Sequence, residues 1–159
     1  MVKLGKSEVT GFAATSNYEP SLVEEAIAGK LKDAGIRTHG KKKKRYTYTG
    51  VSLPEISLNK IDLYYKVQKK KHKSKIYFIV SKGYDNYVST ATDAAMAANV
   101  INFIGKIDGV VAHNEEIKRK EQEMKVMDEQ VEKQKEDITK AEEEKKQKEK
   151  EREDMKNKK

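Results

Sequence analysis

The chain has 159 residues, with 34 Lys+Arg against 26 Asp+Glu, a net charge of +8, and 38% charged residues against 36% hydrophobic. So low an apolar share excludes a chain folded compactly throughout, and part of it is expected to lie outside any core. The absence of cysteine excludes disulfides, thiolate metal sites and cysteine nucleophiles.

Along the chain, Glu8–Ala13 reads as a first strand, closed by the turn-forming Ser16-Asn17. Pro20 sits where a helix accepts its first residue, and Glu19, Glu24 and Glu25 lie near the positive end of its dipole. Leu22, Val23, Ala26, Ile27, Leu31 and Ala34 recur at helical spacing, and Gly35 follows as the stop signal. From Ile36 to Ile56 the pattern is that of strands. Gly40 marks a turn, Gly50 a bulge or bend, and Pro54 the end of the run.

The clearest strand follows. Ile61, Leu63, Tyr65 and Val67 alternate with Asp62, Tyr64, Lys66 and Gln68, so one face is expected to be buried and one wet. Lys75–Ser81 is apolar on both faces and therefore central, and it forms a hairpin with its predecessor around residues 69–74. After a turn at Gly83–Tyr87, Thr90 or Thr92 can cap a second helix with Asp93 in its first turn. Met96, Val100, Phe103, Ile104 and Ile107 form its apolar stripe.

These elements predict an α+β fold. An antiparallel sheet of four to five strands, in the order β-α-β-β-β-α, is covered by two helices, and a long C-terminal helix or coiled coil follows. The division expected is a basic head, 1–109, and a charged helical tail, 110–159. The tail is coiled-coil-like at 110–141, with fraying or disorder left open beyond.

The tail evidence is a row of apolar residues seven apart: Val110, Ile117, Met124, Val131 and Ile138. The positions three later are His113, Lys120, Met127, Gln134 and Ala141, so half of a coiled-coil seam is apolar and half is mixed. Ile117, Met124, Met127, Val131 and Ile138 are the candidate association seam. Pairs such as Glu142–Lys146 sit at the i,i+4 spacing that supports an exposed helix.

The charge asymmetry follows the same division. Residues 1–112 hold 19 Lys+Arg and 10 Asp+Glu, whereas residues 113–159 hold 15 and 16. Two basic runs carry over half of the head's cations: Lys41, Lys42, Lys43, Lys44 and Arg45, then Lys69, Lys70, Lys71, Lys73 and Lys75. These are the candidate polyanion-binding residues, with Tyr46 and Tyr48 placed to stack on bases. The competing reading is that lysines merely protect exposed strand edges from aggregation.

Nothing points to catalysis. His39, His72 and His113 are scattered, Asp85 reads as a turn former, and no phosphate loop, zinc motif or nucleophile elbow occurs. No catalytic residue, cofactor or metal site is therefore expected. No uninterrupted apolar run approaches the ~18 residues of a membrane helix, so no membrane span is expected either. The opening MVKLGKSEVTGF lacks the apolar stretch of a signal peptide.

With VSLPEISLNKIDLYYKV, KIYFIVSKGYDNYVS and the charged tail, the layout resembles a group of bacterial proteins of the Bacteroidota type. These place a small α+β head ahead of a charged coiled-coil tail. The resemblance implies a location in the cell envelope or periplasm; without it the cytoplasm is as good a reading, and it brings no site residue with it. The element order is also similar to the helix-on-saddle topology of TATA-binding-type domains, a likeness that implies no function. The function expected is that of a non-enzymatic structural or protein-interaction module whose tail associates weakly with a second copy or another protein. The alternative is binding of a polyanion, nucleic acid or an acidic surface, through loops 41–45 and 69–75.

Overall fold

A computed structural model of the chain describes residues 2–158 apart from 5 and 38. It divides into two compact units, Met1–Asn114 and Glu115–Lys159. The first is the α+β head. A five-stranded antiparallel sheet runs in the order β3-β7-β6-β5-β4, and a separate two-stranded sheet is made by β1 (Val2–Leu4) and β2 (Ser7–Val9).

The expected first strand, Glu8–Ala13, is divided between the two sheets. β2 ends at Val9, and β3 (Phe12–Ser16) enters the large sheet opposite β7. Gly11 lies at the crossing, where a Cβ would fall 2.9 Å from Ile79 Cγ1 and 3.1 Å from the Phe78 carbonyl. Only a residue without a side chain passes there.

The helix α1 (Pro20–Asp33) then carries the chain across one face of the sheet, burying Val23, Ala26, Ile27 and Leu31. Its end is a Schellman motif. Gly35, at φ +84°, donates to the Lys32 carbonyl, and Ile36 donates to the Leu31 carbonyl while burying its own side chain beside the core.

β4 (Gly40–Lys42) and β5 (Arg45–Leu53) follow, and β6 (Ser57–Lys70) pairs with β7 (Lys73–Ser81). The sequence placed a turn at Gly40. Gly40 instead pairs with Thr47 inside the strand, and the turn is made within the lysine run by Lys43 and Lys44. The bulge expected at Gly50 coincides with a register shift between Tyr48 and Val51.

β7 lies between β3 and β6, as its apolar faces require. Ile61, Leu63, Tyr65 and Val67 are buried on the face that α1 covers, together with Ile76, Phe78 and Val80. An aromatic file links strands to helix: Tyr46, Tyr65, Phe78 and Phe103 follow at centroid distances of 4.7, 6.2 and 5.5 Å. The buried serines are all bonded. Ser16 donates to Asp108, Ser74 donates to the Tyr18 carbonyl at 2.5 Å, and Ser57 and Ser81 accept from the Asn59 and Gly83 amides.

The cap of α2 (Ala94–Gly105) is Asp93 rather than a threonine. Its carboxylate accepts from the Met96 amide at 3.0 Å, while Thr92 is engaged with Ser89 and the Tyr87 carbonyl. α3 (Ile107–Asn157) begins directly after Lys106, whose backbone stays helical at φ −84° and ψ −12°. One 18-residue window in Ala94–Asn157 reaches a mean hydropathy of 1.3, apolar enough by length and composition to cross a bilayer. This amends the expectation drawn from uninterrupted runs. Its stripe of Val100, Phe103, Ile104, Ile107 and Val111 is buried in the head's core, the ordinary use of such a window in a folded domain.

Val110 also packs against that core, so the exposed heptad row begins at Ile117. Beyond Glu115 the second unit is helix through Asn157, including the part past Ala141. Pairs such as Lys120–Glu116 at 3.2 Å and Lys135–Glu132 at 3.2 Å run along it.

Candidate functional site

The two basic runs form two hairpin turns. Lys42 pairs with Arg45 across Lys43-Lys44, and Lys70 pairs with Lys73 across Lys71-His72. Both turns require left-handed backbone. Lys43, Lys44 and Lys71 have φ of 50°, 64° and 52°. Asn-Gly or Asp-Gly takes this geometry more easily, and an ordinary residue held there costs roughly 1–2 kcal/mol. Lysine occupies each position despite that cost.

The register brings the turns together. Arg45, the first residue of β5, faces Lys66 on β6, only four residues before that strand ends at Lys70. Both turns therefore emerge from one end of the sheet, offset along the strands by roughly 13 Å at about 3.3 Å per residue. Lys41, Lys42, Lys43, Lys44, Lys69, Lys70, Lys71 and Lys73 are exposed, while Arg45 and Lys75 are half-buried.

Few of these cations are neutralised. Lys69 pairs with Glu19 at 3.4 Å. Lys41 and Lys75 lie 4.8 and 5.3 Å from the ring centres of Tyr46 and Tyr77. The neighbouring Tyr46 raises the pKa of Lys41, which favours the charged form. Among the described residues, Lys42, Lys43, Lys44, Arg45, Lys70, Lys71 and Lys73 have no carboxylate ion-pair partner.

The face of the sheet opposite the helices extends this end. Directly paired residues share a face, so Lys42, Arg45, Lys66 and Tyr77 form one transverse row over β4, β5, β6 and β7. Gln68 and Lys75, then Lys70 and Lys73, form the next rows toward the turns. Tyr64 lies one row further from the turns, opposite Thr47 and Ile79. Burial raises the Tyr64 pKa, with Asp62 adding to the rise and Arg45 opposing it.

One sequence expectation changes here. Tyr46 and Tyr48 do not face this surface. Tyr48 is 3% exposed and both stack on Tyr65, while the Tyr46 hydroxyl donates to Glu24 at 3.1 Å. The aromatics available on the open face are Tyr64 and Tyr77, which together with Lys66 were not singled out as site residues. Their signal was present: the alternation through Asp62, Tyr64, Lys66 and Gln68 already assigned that side of β6 to the wet face.

The histidines are not gathered into one site. His39 packs 5.5 and 5.4 Å from the rings of Tyr46 and Tyr48, His72 lies in the second lysine turn, and His113 lies on α3. Among the described residues no group of three or more His, Asp or Glu is placed to hold a metal ion. In the tail unit the candidate seam is open to solvent, with Ile117, Met124, Met127, Val131 and Ile138 between 41% and 63% exposed. Comparison with protein-family models, curated proteins and solved structures gives no match to this chain.

Proposed function

We propose that the head is a polyanion-binding module. The supporting observation is the convergence of the Lys43-Lys44 and Lys71-His72 turns on one end of the sheet, with lysine kept at three positions where the backbone favours glycine or asparagine. A lysine that only protects a strand edge has no reason to occupy a strained turn position. Nor would edge protection explain why Lys42, Arg45 and Lys66 stand directly opposite one another on three neighbouring strands, since opposed like charges destabilise a sheet. Concentrated, unpaired cations instead favour a ligand whose bound counterions they displace. The test is elution from heparin. Lys41, Lys42, Lys43, Lys70 and Lys71 replaced by Gln should elute at markedly lower salt than the wild type. Retention no greater than that of an equally basic control protein overturns the reading.

A second reading concerns the tail, where the exposed row Ile117, Met124, Val131 and Ile138 supports weak self-association. A row seven residues apart drifts slowly around a straight helix, and a left-handed supercoil cancels that drift. The polar partners Lys120 and Gln134 limit affinity, although a lysine stem can still pack while its ammonium reaches water.

A further inference from the structure

Resting on the polyanion reading, we propose that the ligand class is single-stranded nucleic acid, bound with an unstacked base on the open sheet face. The lysine turns account for attraction to any polyanion. The surface beside them is more selective.

A cleft of about 320 Å³ opens on that face, walled on one side by Val2 and Lys3 of β1. Arg45, Tyr64, Lys66 and Tyr77 are among its lining residues. Its size is at the lower end of the roughly 300–1,000 Å³ range of small-molecule sites, suited to one nucleotide. Among the described residues of the lining, Glu8 is the one carboxylate against the three cations Lys3, Arg45 and Lys66, so the cleft favours an anion.

Two features point to what enters. Arg45 Nε is buried yet has no hydrogen-bond acceptor. A desolvated donor of this kind is costly to leave unmade, and a phosphate oxygen would satisfy it with charge assistance. Tyr64 and Tyr77 lie at the cationic row on the same face, both half-buried and both lining the cleft, so each brings an aromatic side chain to where a flat base would enter. Base-on-aromatic stacking tolerates any sequence and needs a base out of its helix. A duplex, with its bases paired inside, can touch the lysine turns but cannot place a base in the cleft. An anionic membrane has the same limitation. The remaining cations, Lys70, Lys73 and Lys75, continue from the cleft to the turns and provide a path for the phosphate backbone.

The experiment uses the full chain and a fluorescein-labelled oligonucleotide, as a single strand and as the matching duplex, with heparin and anionic phosphatidylserine vesicles as competitors. The single strand should bind roughly tenfold or more tightly than the duplex, the scale expected from one or two stacked bases. Tyr64→Leu and Tyr77→Leu should each weaken single-strand binding several-fold while leaving heparin elution unchanged, with thermal melts showing that both variants fold. The chain has no tryptophan, so Tyr77→Trp introduces a lone reporter whose emission should be quenched when an unlabelled single strand binds. Duplex or vesicles bound as tightly as the single strand, or a tryptophan emission in the Tyr77→Trp variant that ignores the oligonucleotide, overturns this inference. The polyanion reading survives that outcome if the lysine variants still lose heparin retention, and both fall if no polyanion binds.

Discussion

Head and tail are built from the same abundant residue, lysine, and use it in opposite ways. In the tail, acids and bases alternate at helical spacing and pair along the helix itself, as Lys120 does with Glu116 and Lys135 with Glu132. Its 15 cations against 16 anions nearly cancel, and opposite charges recur within one turn of each other. In the head, 19 cations face 10 anions, and many of the excess cations sit at two turns and across one face of the sheet without carboxylate partners. Charge that neutralises itself supports a helix. Charge left unpaired at a strained turn is available for a partner.

The strongest way to break this comparison is through packing. Phe78 is fully buried and lies between Tyr65 and Phe103 in the aromatic file. Phe78→Ala should cost roughly 3–5 kcal/mol by urea unfolding. Val131→Ala, at a position 46% exposed, should change the same transition by less than ~0.5 kcal/mol. Equal effects would mean that the two regions do not differ in how they are held.

Next in size is association through the tail. Sedimentation equilibrium over a wide concentration range should show a weak monomer–dimer equilibrium. Gln134→Leu should strengthen it by roughly tenfold or more, because each chain then buries one further apolar side chain. Val131→Lys should abolish it. A monomer whose mass ignores both substitutions leaves the helix as a spacer or as one half of an interface with another protein.

The smallest effect sharpens the contrast most. Lys44→Gly relieves a residue held at φ 64° and should raise the head's stability by about 1 kcal/mol while weakening its binding to heparin. A substitution that stabilises the fold and impairs binding identifies a position retained for the ligand. No gain in stability would remove strain from the argument.

How much of this could be read from the sequence varies with the physics. Period-two and period-3.6 patterns identified the buried faces because burial imposes them directly: Leu63, Phe78, Ile27 and Phe103 are all fully enclosed. The strand break at Gly11 was hidden because it depends on a close approach to Ile79, a residue 68 positions away. Gly40 misled for the opposite reason. Glycine is the usual turn residue, whereas the actual turn uses Lys43 and Lys44 against their backbone preference. The two lysine runs were conspicuous as composition, but their convergence depends on the Arg45–Lys66 register, and side-chain type alone does not fix register. Tyr46 and Tyr48 looked suitable for stacking because they adjoin the basic run. The pleat turns them inward and leaves Tyr64 and Tyr77 outside.

The most direct test of the central claim, that the head's unpaired cations bind a polyanion while the tail's paired ones do not, is the salt dependence of binding. Affinity for a single-stranded oligonucleotide, measured from low to moderate salt, should fall linearly on logarithmic axes. Replacing Lys42, Lys43, Lys44, Lys70 and Lys71 by Gln should flatten that slope by up to ~3–4 units, at about 0.7 per lost phosphate contact. Replacing the ion-paired tail cations Lys118, Arg119, Lys120 and Lys135 by Gln should leave it unchanged. Equal flattening by the two sets, or no salt dependence in the wild type, would contradict the account.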